Sequence, residues 1–379
     1  MKYTQPNDIV WDPFCGSGTL VLEAYRSKRN SIGTDVNPTA TLISRTKSTP
    51  LDPVVLKNAN DELFEKLKDS KAKKRRFYID QGILNGNLPI LEQWFSEASL
   101  LKLSHVLYTI RNSSVSKPIV DFQLCALSAI LKRSSYWLNT SIKSQKDPDK
   151  HPGEPEVYFR QQIDLMTKAN ACLYSENASN TTAIRVFRHD IRRSFSQTIE
   201  PVDVIITSPP YVVSYDYSDI FRLSTHFLFF HHDTLSFRKQ FIGTRLQKQS
   251  HKGFEEHLPE DPILHDIKDA CIKKTLKAYY KDMRLFFESV KDKVVPNGKM
   301  IMVVGDTRLR GVEIPNSYLL SKIGISAGWR FQDCKERNIP VKILPTTRDP
   351  VSGRFSANSN GAKESYKIEY ILAFTKPAL

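Results

Sequence analysis

Two short runs in this chain carry residues whose types and spacing could do chemistry: DPFCGSGT, Asp12 to Thr19, and TSPPY, Thr207 to Tyr211. In the first, Gly16 and Gly18 let a backbone come close to a ligand, and a helix starting at Thr19 offers unpaired N–H groups in its first turn. About 20 residues later Asp35 closes the next apolar run, where a carboxylate in a doubly wound sheet holds a ribose diol. A loop for a terminal phosphate is excluded, because no Gly-Lys-Ser/Thr follows. A nicotinamide site is disfavoured, because Val21 stands where the third glycine of G-x-G-x-x-G belongs.

The second run follows the apolar stretch Val202 to Ile206. Pro209 and Pro210 stiffen it and have no N–H to compete for its carbonyls. An amine on a nucleobase is a poor nucleophile, since its lone pair is delocalised into the ring. Carbonyl and hydroxyl acceptors such as Ser208 and Pro209 O could bind its hydrogens and favour the tetrahedral nitrogen that accepts a substituent. Tyr211 offers a flat face for an extruded base. A cysteine nucleophile of the kind that attacks a pyrimidine ring carbon follows a proline, and none of the five cysteines does.

The elements that must position these runs read as α/β. Asp8 to Trp11 is a short strand ending at Asp12, Thr19 to Arg26 a helix, and Ser31 to Thr34 a strand closed by Asp35. A second helix starts at Asn37-Pro38. The pattern returns with strands Ala183 to Phe187, ending at Asp190, and Val202 to Ile206, ending at Thr207. A helix over Ser218 to Phe230 follows, and then a polar loop over Phe237 to Leu264 that reads as mobile. Next come a helix over Lys274 to Val290, a turn at Pro296-Asn297-Gly298 and a strand over Lys299 to Val304. Tyr366 to Thr375 alternates like a strand and could pair with Trp329 to Asp333 in a terminal antiparallel hairpin. Such alternation predicts a doubly wound, Rossmann-like α/β sheet, mostly parallel with a C-terminal antiparallel hairpin. Residues 49–180 break the rhythm as a mainly helical insertion, with helical spacing over Phe122 to Leu138 and Val157 to Leu173 and an exposed loop over Lys146 to Glu156. The sheet then belongs to a discontinuous domain of residues 1–48 and 181–379.

Composition sets outer bounds. Of 379 residues, 55 are Lys or Arg and 41 Asp or Glu, so the net charge of +14 favours a polyanionic partner. The run Lys66 to Arg76 is basic enough to meet phosphates, or is simply a solvated helix face. Scattered, odd-numbered cysteines without a CxxC pair argue against disulfides and zinc and suit a reducing cytoplasm. His226, His231 and His232 lack an acid or cysteine to complete a metal site. No apolar run approaches the roughly 20 residues of a membrane span.

Taken together, DPFCGSGT, GTDVNP and TSPPY resemble the amino-group DNA methyltransferases, over approximately residues 6–48, 183–232 and 275–379. The resemblance implies a site-specific enzyme that takes a methyl group from S-adenosyl-L-methionine. Its acceptor would be an exocyclic base amine, and serine in TSPPY is more typical of enzymes acting on cytosine N4 than on adenine N6. It implies that Asp12, Gly16 and Gly18 surround the methionine end of the cofactor, with Phe14 and Thr19 of the same loop in that site. Asp35 would bind the ribose, and Asp190 would face the adenine amine or merely cap a turn. Ser208, Pro209, Pro210 and Tyr211 would form the catalytic loop. Double-stranded DNA is the implied partner, with a cognate restriction endonuclease or a second subunit; the insertion matches no motif of the family and could be the target-recognition region. Family members carry a further helix and loop before the first strand, where seven residues precede Asp8. Either another part of the chain or a second subunit would supply that piece, or the chain is truncated. An N6-adenine enzyme, an RNA base-amine methyltransferase and a DNA-binding subunit without turnover are the alternatives.

Overall fold

The computed structural model describes residues 3–68, 75–84, 87–141, 144–177, 179–193, 199–212, 217–229, 234–243, 267, 269–309, 312–339, 347–348, 363–364 and 368–378. Seven strands form one sheet: β1 (Ile9–Asp12), β2 (Asn30–Asp35), β3 (Ile184–Arg188), β4 (Val202–Thr207), β5 (Val294–Val304), β6 (Arg330–Asn338) and β7 (Ile368–Thr375). Their order is β3-β2-β1-β4-β5-β7-β6. The first five run parallel, and β7 pairs antiparallel with both β5 and β6. This is the mostly parallel α/β sheet with a terminal antiparallel hairpin that the alternation predicts.

Side chains alternate across this sheet because successive residues of a strand point to opposite faces. Trp11, Ile205, Met300, Met302, Leu372 and Phe374 are buried against helices α8 (Ala270–Lys291) and α9 (Asn316–Ser326), where Phe286, Phe287 and Leu320 meet them. Val10, Val204, Ile301 and Ala373 face the other way, toward Ala24 of helix α1 (Thr19–Arg26). Burial on both faces explains why β4 beyond Asp203 and the second half of β5 read as continuous apolar runs. Helix α2 (Pro38–Ser48) starts as expected: Pro38 occupies its first turn and the Asn37 side chain accepts the N–H of Thr39 at 2.9 Å.

Between α2 and β3 stand helices α3 (Pro53–Lys68), α4 (Glu97–Arg111), α5 (Lys117–Ile130) and α6 (Pro155–Glu176). They share a second core around Leu103, Leu107, Phe122, Leu127 and Phe159. Leu42 of α2, and Leu223 and Phe227 of helix α7 (Arg222–Phe229), enter the same core. The chain that leaves TSPPY is thus anchored in the helical segment.

Three boundaries differ from expectation for identifiable reasons. The helix expected over Phe122 to Leu138 ends at Ile130, and Trp137 lies instead in a bridge to Lys146. The turn expected at Pro296 to Gly298 is an irregularity within β5, where Asn297 takes φ 62° and the pairing with β4 shifts register. The apolar helix expected over Ser218 to Phe230 is two pieces, Tyr217–Ile220 and α7. Of the expected loop Phe237 to Leu264, residues 244–264 lie outside the described residues, as do His231, His232, Lys71, Lys73 and Lys74. His226 is 3% exposed in α7, a core position. Among the described residues no helix is long and apolar enough to cross a membrane, and no cluster of three acids, histidines or cysteines could hold a metal.

Gly324 of α9 marks how closely the helices press on the sheet. A Cβ there would stand 2.6 Å from the Phe374 ring and 3.1 Å from Phe287. Gly324→Ala is expected to destabilise the fold by about 1–3 kcal/mol, read as a lowered urea midpoint at unchanged slope.

Candidate active site at the β1–β4 edge

The two chemistry-bearing runs meet at the C-terminal ends of β1 and β4, which pair directly through Val10↔Val204 and Trp11↔Ile205. The hydroxyl of Thr207, at the end of β4, donates to Asp12 Oδ1 at 2.6 Å. The N–H of Phe14 donates to the same oxygen at 3.1 Å. Asp12 is buried, and burial pushes its carboxyl up to about 7 although both hydrogen bonds pull it down; the Asp35 charge adds to the rise.

Asp35, at the end of β2, closes the donor side. Its Oδ2 accepts the N–H of Gly16 at 3.0 Å and its Oδ1 the N–H of Asn37 at 2.8 Å. Burial raises its carboxyl above the usual range against these bonds. Cys15 N–H adds a bond to Thr34 O at 2.9 Å, so the loop is stapled to β2 along its length. Burial, with Asp35 and Asp12 nearby, pushes the Cys15 thiol far up, which keeps it protonated and without nucleophilic force.

The two loop glycines do different work. Gly16 has φ 49° and nothing within 4 Å of where a Cβ would stand, so the space in front of it is open. Gly18 has φ 77°, and a Cβ would meet Ser44 Cα at 2.8 Å. Gly18 thus lets α1 and α2 pack closely, in a conformation that an L side chain rarely adopts. Thr19 begins α1 exposed and accepts Lys47 Nζ at 3.3 Å. Phe14 is half-buried, its ring 5.0 Å from that of Phe286.

On the acceptor side Pro209 is buried, Pro210 and Tyr211 are half-buried and Ser208 is exposed. The Tyr211 hydroxyl donates to Glu369 Oε1 of β7 at 3.3 Å, and Glu369 is ion-paired with Arg337 of β6. The Tyr211 ring lies against Gly305, where a Cβ would stand 3.5 Å from Cε2. Next to it Asp306 accepts the N–H of Ser317 at 2.8 Å, and burial raises its carboxyl. Glu369, Arg337, Gly305 and Asp306 were missed in the sequence. Asp306 had a readable signal, since it follows an apolar strand as Asp12 and Asp35 do.

Asp190 stands apart from this set. Both its oxygens are held by Arg192 at 2.8 Å, and Arg192 also reaches Asp282 of α8 at 3.1 Å and Gln240 O at 2.8 Å. Burial pushes the Asp190 carboxyl up, but the Arg192 hydrogen bonds and charge hold it below the usual range. Its observed partners are thus those of a buried ion-pair network.

The sheet order, a donor loop after β1, a carboxylate after β2 and a Pro-Pro-Tyr loop after β4 together define a methyltransferase of the S-adenosylmethionine-dependent class. The model of the DNA methylase family (N6_N4_Mtase) matches residues 1–45, which hold the donor loop and Asp35. The Type II methyltransferase M.MvaI of Kocuria varians is 22% identical over 368 residues, covering 90% of this chain and 80% of its own. M.BsoBI of Geobacillus stearothermophilus, another Type II methyltransferase, is 22% identical over 397 residues, covering 89% and 74%. A solved SAM-dependent methyltransferase from Methanosarcina mazei aligns over 100% of this chain and 96% of its own at 8% identity and TM-score 0.33, too loose to bear on function. The chain is thus similar to DNA methyltransferases of the N6- and N4-directed amino type.

The residues fit the donor that this class uses. Each oxygen of Asp35 has a lone pair left for a diol after its backbone bond, and the backbone at Gly16 faces open space. Asp12 supplies a test by linkage. Its carboxyl titrates near 7 folded against 3.8 unfolded, so its ionisation costs stability progressively as pH rises from about 4 to about 7, and the cost is constant above. Asp12→Asn is expected to gain stability relative to the wild type across that window and level off above it, by at most about 4 kcal/mol. Urea unfolding of both proteins at several pH values reads this out, and a gap that stays flat with pH would refute it.

Proposed function

We propose that this chain transfers the methyl group of S-adenosyl-L-methionine to an exocyclic amine of a base extruded from double-stranded DNA, with cytosine N4 the favoured target. The observation that carries this reading is the Thr207–Asp12 hydrogen bond, which brings the donor loop and the TSPPY loop to one edge. The cofactor supplies a methyl group already activated on a cationic sulfur, so the protein mainly aligns donor and amine. In this reading Asp12, Phe14, Gly16 and the backbone entering Gly18 and Thr19 hold the methionine end, and Asp35 holds the ribose. Ser208 and the carbonyl of Pro209 accept the hydrogens of the target amine. Pro210 keeps that carbonyl in place, and the Tyr211 ring stacks on the base.

The Tyr211 ring rests on Gly305 and its hydroxyl is anchored to Glu369, so the ring is held before the base arrives. The protonated Cys15 thiol supports direct displacement over covalent catalysis. Serine in TSPPY favours cytosine. Residues 49–180 would serve as the target-recognition region, and the names of the two Type II relatives support a cognate restriction endonuclease. The free thiols Cys15, Cys125, Cys172 and Cys334 suit the reducing cytoplasm.

Incubation with methyl-labelled cofactor and either genomic DNA or total RNA, followed by nucleoside identification, tests the reading. N4-methylcytosine from DNA is expected; label on adenine would overturn the choice of base, and label in RNA alone the choice of substrate. Tyr211→Ala is expected to lower kcat/KM for DNA at least tenfold, given stacking worth about 1–3 kcal/mol, while cofactor binding persists.

A further inference from the structure

Beyond Ile130 the chain forms a hairpin that the catalytic reading does not use. Trp137 and Lys146 form an antiparallel bridge, with Leu138 N–H donating to Gln145 O and Asp147 N–H to Tyr136 O, both at 2.8 Å. Tyr136 N–H ties the hairpin to Trp94 O at 2.8 Å, and the Trp94 and Trp137 rings stack with centroids 5.0 Å apart.

Two ammonium groups brace it from inside. Lys132 Nζ donates to Asn139 O at 2.9 Å and Ser141 O at 2.8 Å. Lys150 Nζ donates to Lys132 O at 2.9 Å, Trp137 O at 2.7 Å and Asn139 Oδ1 at 2.9 Å. Burial lowers both lysines below their usual range, so holding this shape costs the fold some ammonium hydration. A mere connector has no need of such bracing, whereas a recognition loop gains by being ordered before it binds. Thr140 and Gln145 stand exposed on the braced hairpin, with Arg133 and Lys146 exposed beside them.

Its place is also specific. Arg222 Nη1 donates to Ser144 Oγ at 3.3 Å, and Arg222 opens α7, the helix that follows the TSPPY loop. The same helix meets the hairpin's parent α5 through Ser224 and Ser128 at 2.7 Å. It meets the donor side through Thr225 and Thr39 at 3.4 Å, and Thr39 is four residues past Asp35. The hairpin is therefore joined through α7 to the C-terminal edge of the sheet.

The basic run Lys66 to Arg76 contrasts with it. Its described cations are paired: Lys66 with Glu62, Lys68 with Glu65, Arg75 with Glu92 and Arg76 with Asp80. Those pairs are what a solvated surface makes. On the hairpin the nearby acids are Asp147, whose Oδ1 accepts Asp149 N–H, the exposed Asp149 itself, and Asp219, 3.9 Å from Arg222.

We infer that the paired segments 136–141 and 144–147 read the DNA sequence beside the methylated base, with Thr140 and Gln145 meeting base edges and Arg133 and Lys146 meeting phosphates. This rests on the DNA reading above. Gln and Thr carry the donors and acceptors that groove edges present, and Arg and Lys fix register on the backbone.

The test uses the full chain as wild type, Thr140→Ala/Gln145→Ala and, for contrast, Lys66→Ala/Lys68→Ala. Methylated positions in genomic DNA are mapped by sequencing, with kcat/KM on the preferred site and cofactor affinity measured beside them. The hairpin variant is expected to relax the site preference and lose roughly 5- to 150-fold in kcat/KM on that site, with cofactor affinity unchanged. The contrast variant is expected to keep both. Wild-type DNA methylation with the same site map and rate in the hairpin variant would overturn this inference and leave the DNA reading standing. Wild-type activity on RNA alone, or none, would overturn both. If the double variant loses cofactor affinity, Gln145→Ala alone, an exposed position, carries the same readout.

Discussion

The hydrogen bond from Thr207 to Asp12 joins two loops that lie 195 residues apart in sequence and side by side in space. It can form because β4 returns to pair with β1 after the chain has run outward through β2 and β3. At that point the strand order reverses, so the loop after β1 leaves in one direction and the loop after β4 in the other. Such a reversal is the place where an open parallel sheet binds its ligands. In the proposed function, donor chemistry on one side and acceptor chemistry on the other follow from this single reversal.

The remainder of the sheet supports the two walls. On the donor wall Asp35 takes backbone N–H groups from Gly16 and Asn37, so the loop's shape is set by bonds to a neighbouring strand end. On the acceptor wall the antiparallel β7 carries Glu369 to the Tyr211 hydroxyl, and the end of β5 provides Gly305 beneath the ring. Without that terminal hairpin Tyr211 would have no such anchor. Helix α7 then links the acceptor wall to the helical segment, whose core takes in Leu223 and Phe227.

Much of this arrangement was legible in the residues. Short apolar runs closed by Asp12, Asp35 and Thr207 gave the strands and the edge they share, because period and punctuation both pointed one way. The split between the glycines was not legible, since Gly18 is required by Ser44, a contact across α1 and α2 that no local pattern encodes. The anchors of Tyr211 were hidden for the same reason: Glu369 and Arg337 reach it through antiparallel pairing late in the chain. Spacing over Phe122 to Leu138 suggested one helix, but the apolar Trp137 packs on Trp94 from a hairpin. Periodicity cannot distinguish those two ways of burying a tryptophan.

The unity of the two walls can be measured by a double-mutant cycle on Asp12→Ala and Thr207→Val, read as kcat/KM for methyl transfer to DNA. If the hydrogen bond couples donor and acceptor loops, the double variant loses clearly less than the sum of the single losses, with an interaction term of about 0.5–3 kcal/mol. Additive losses would mean that each loop holds its place alone, and would contradict the account.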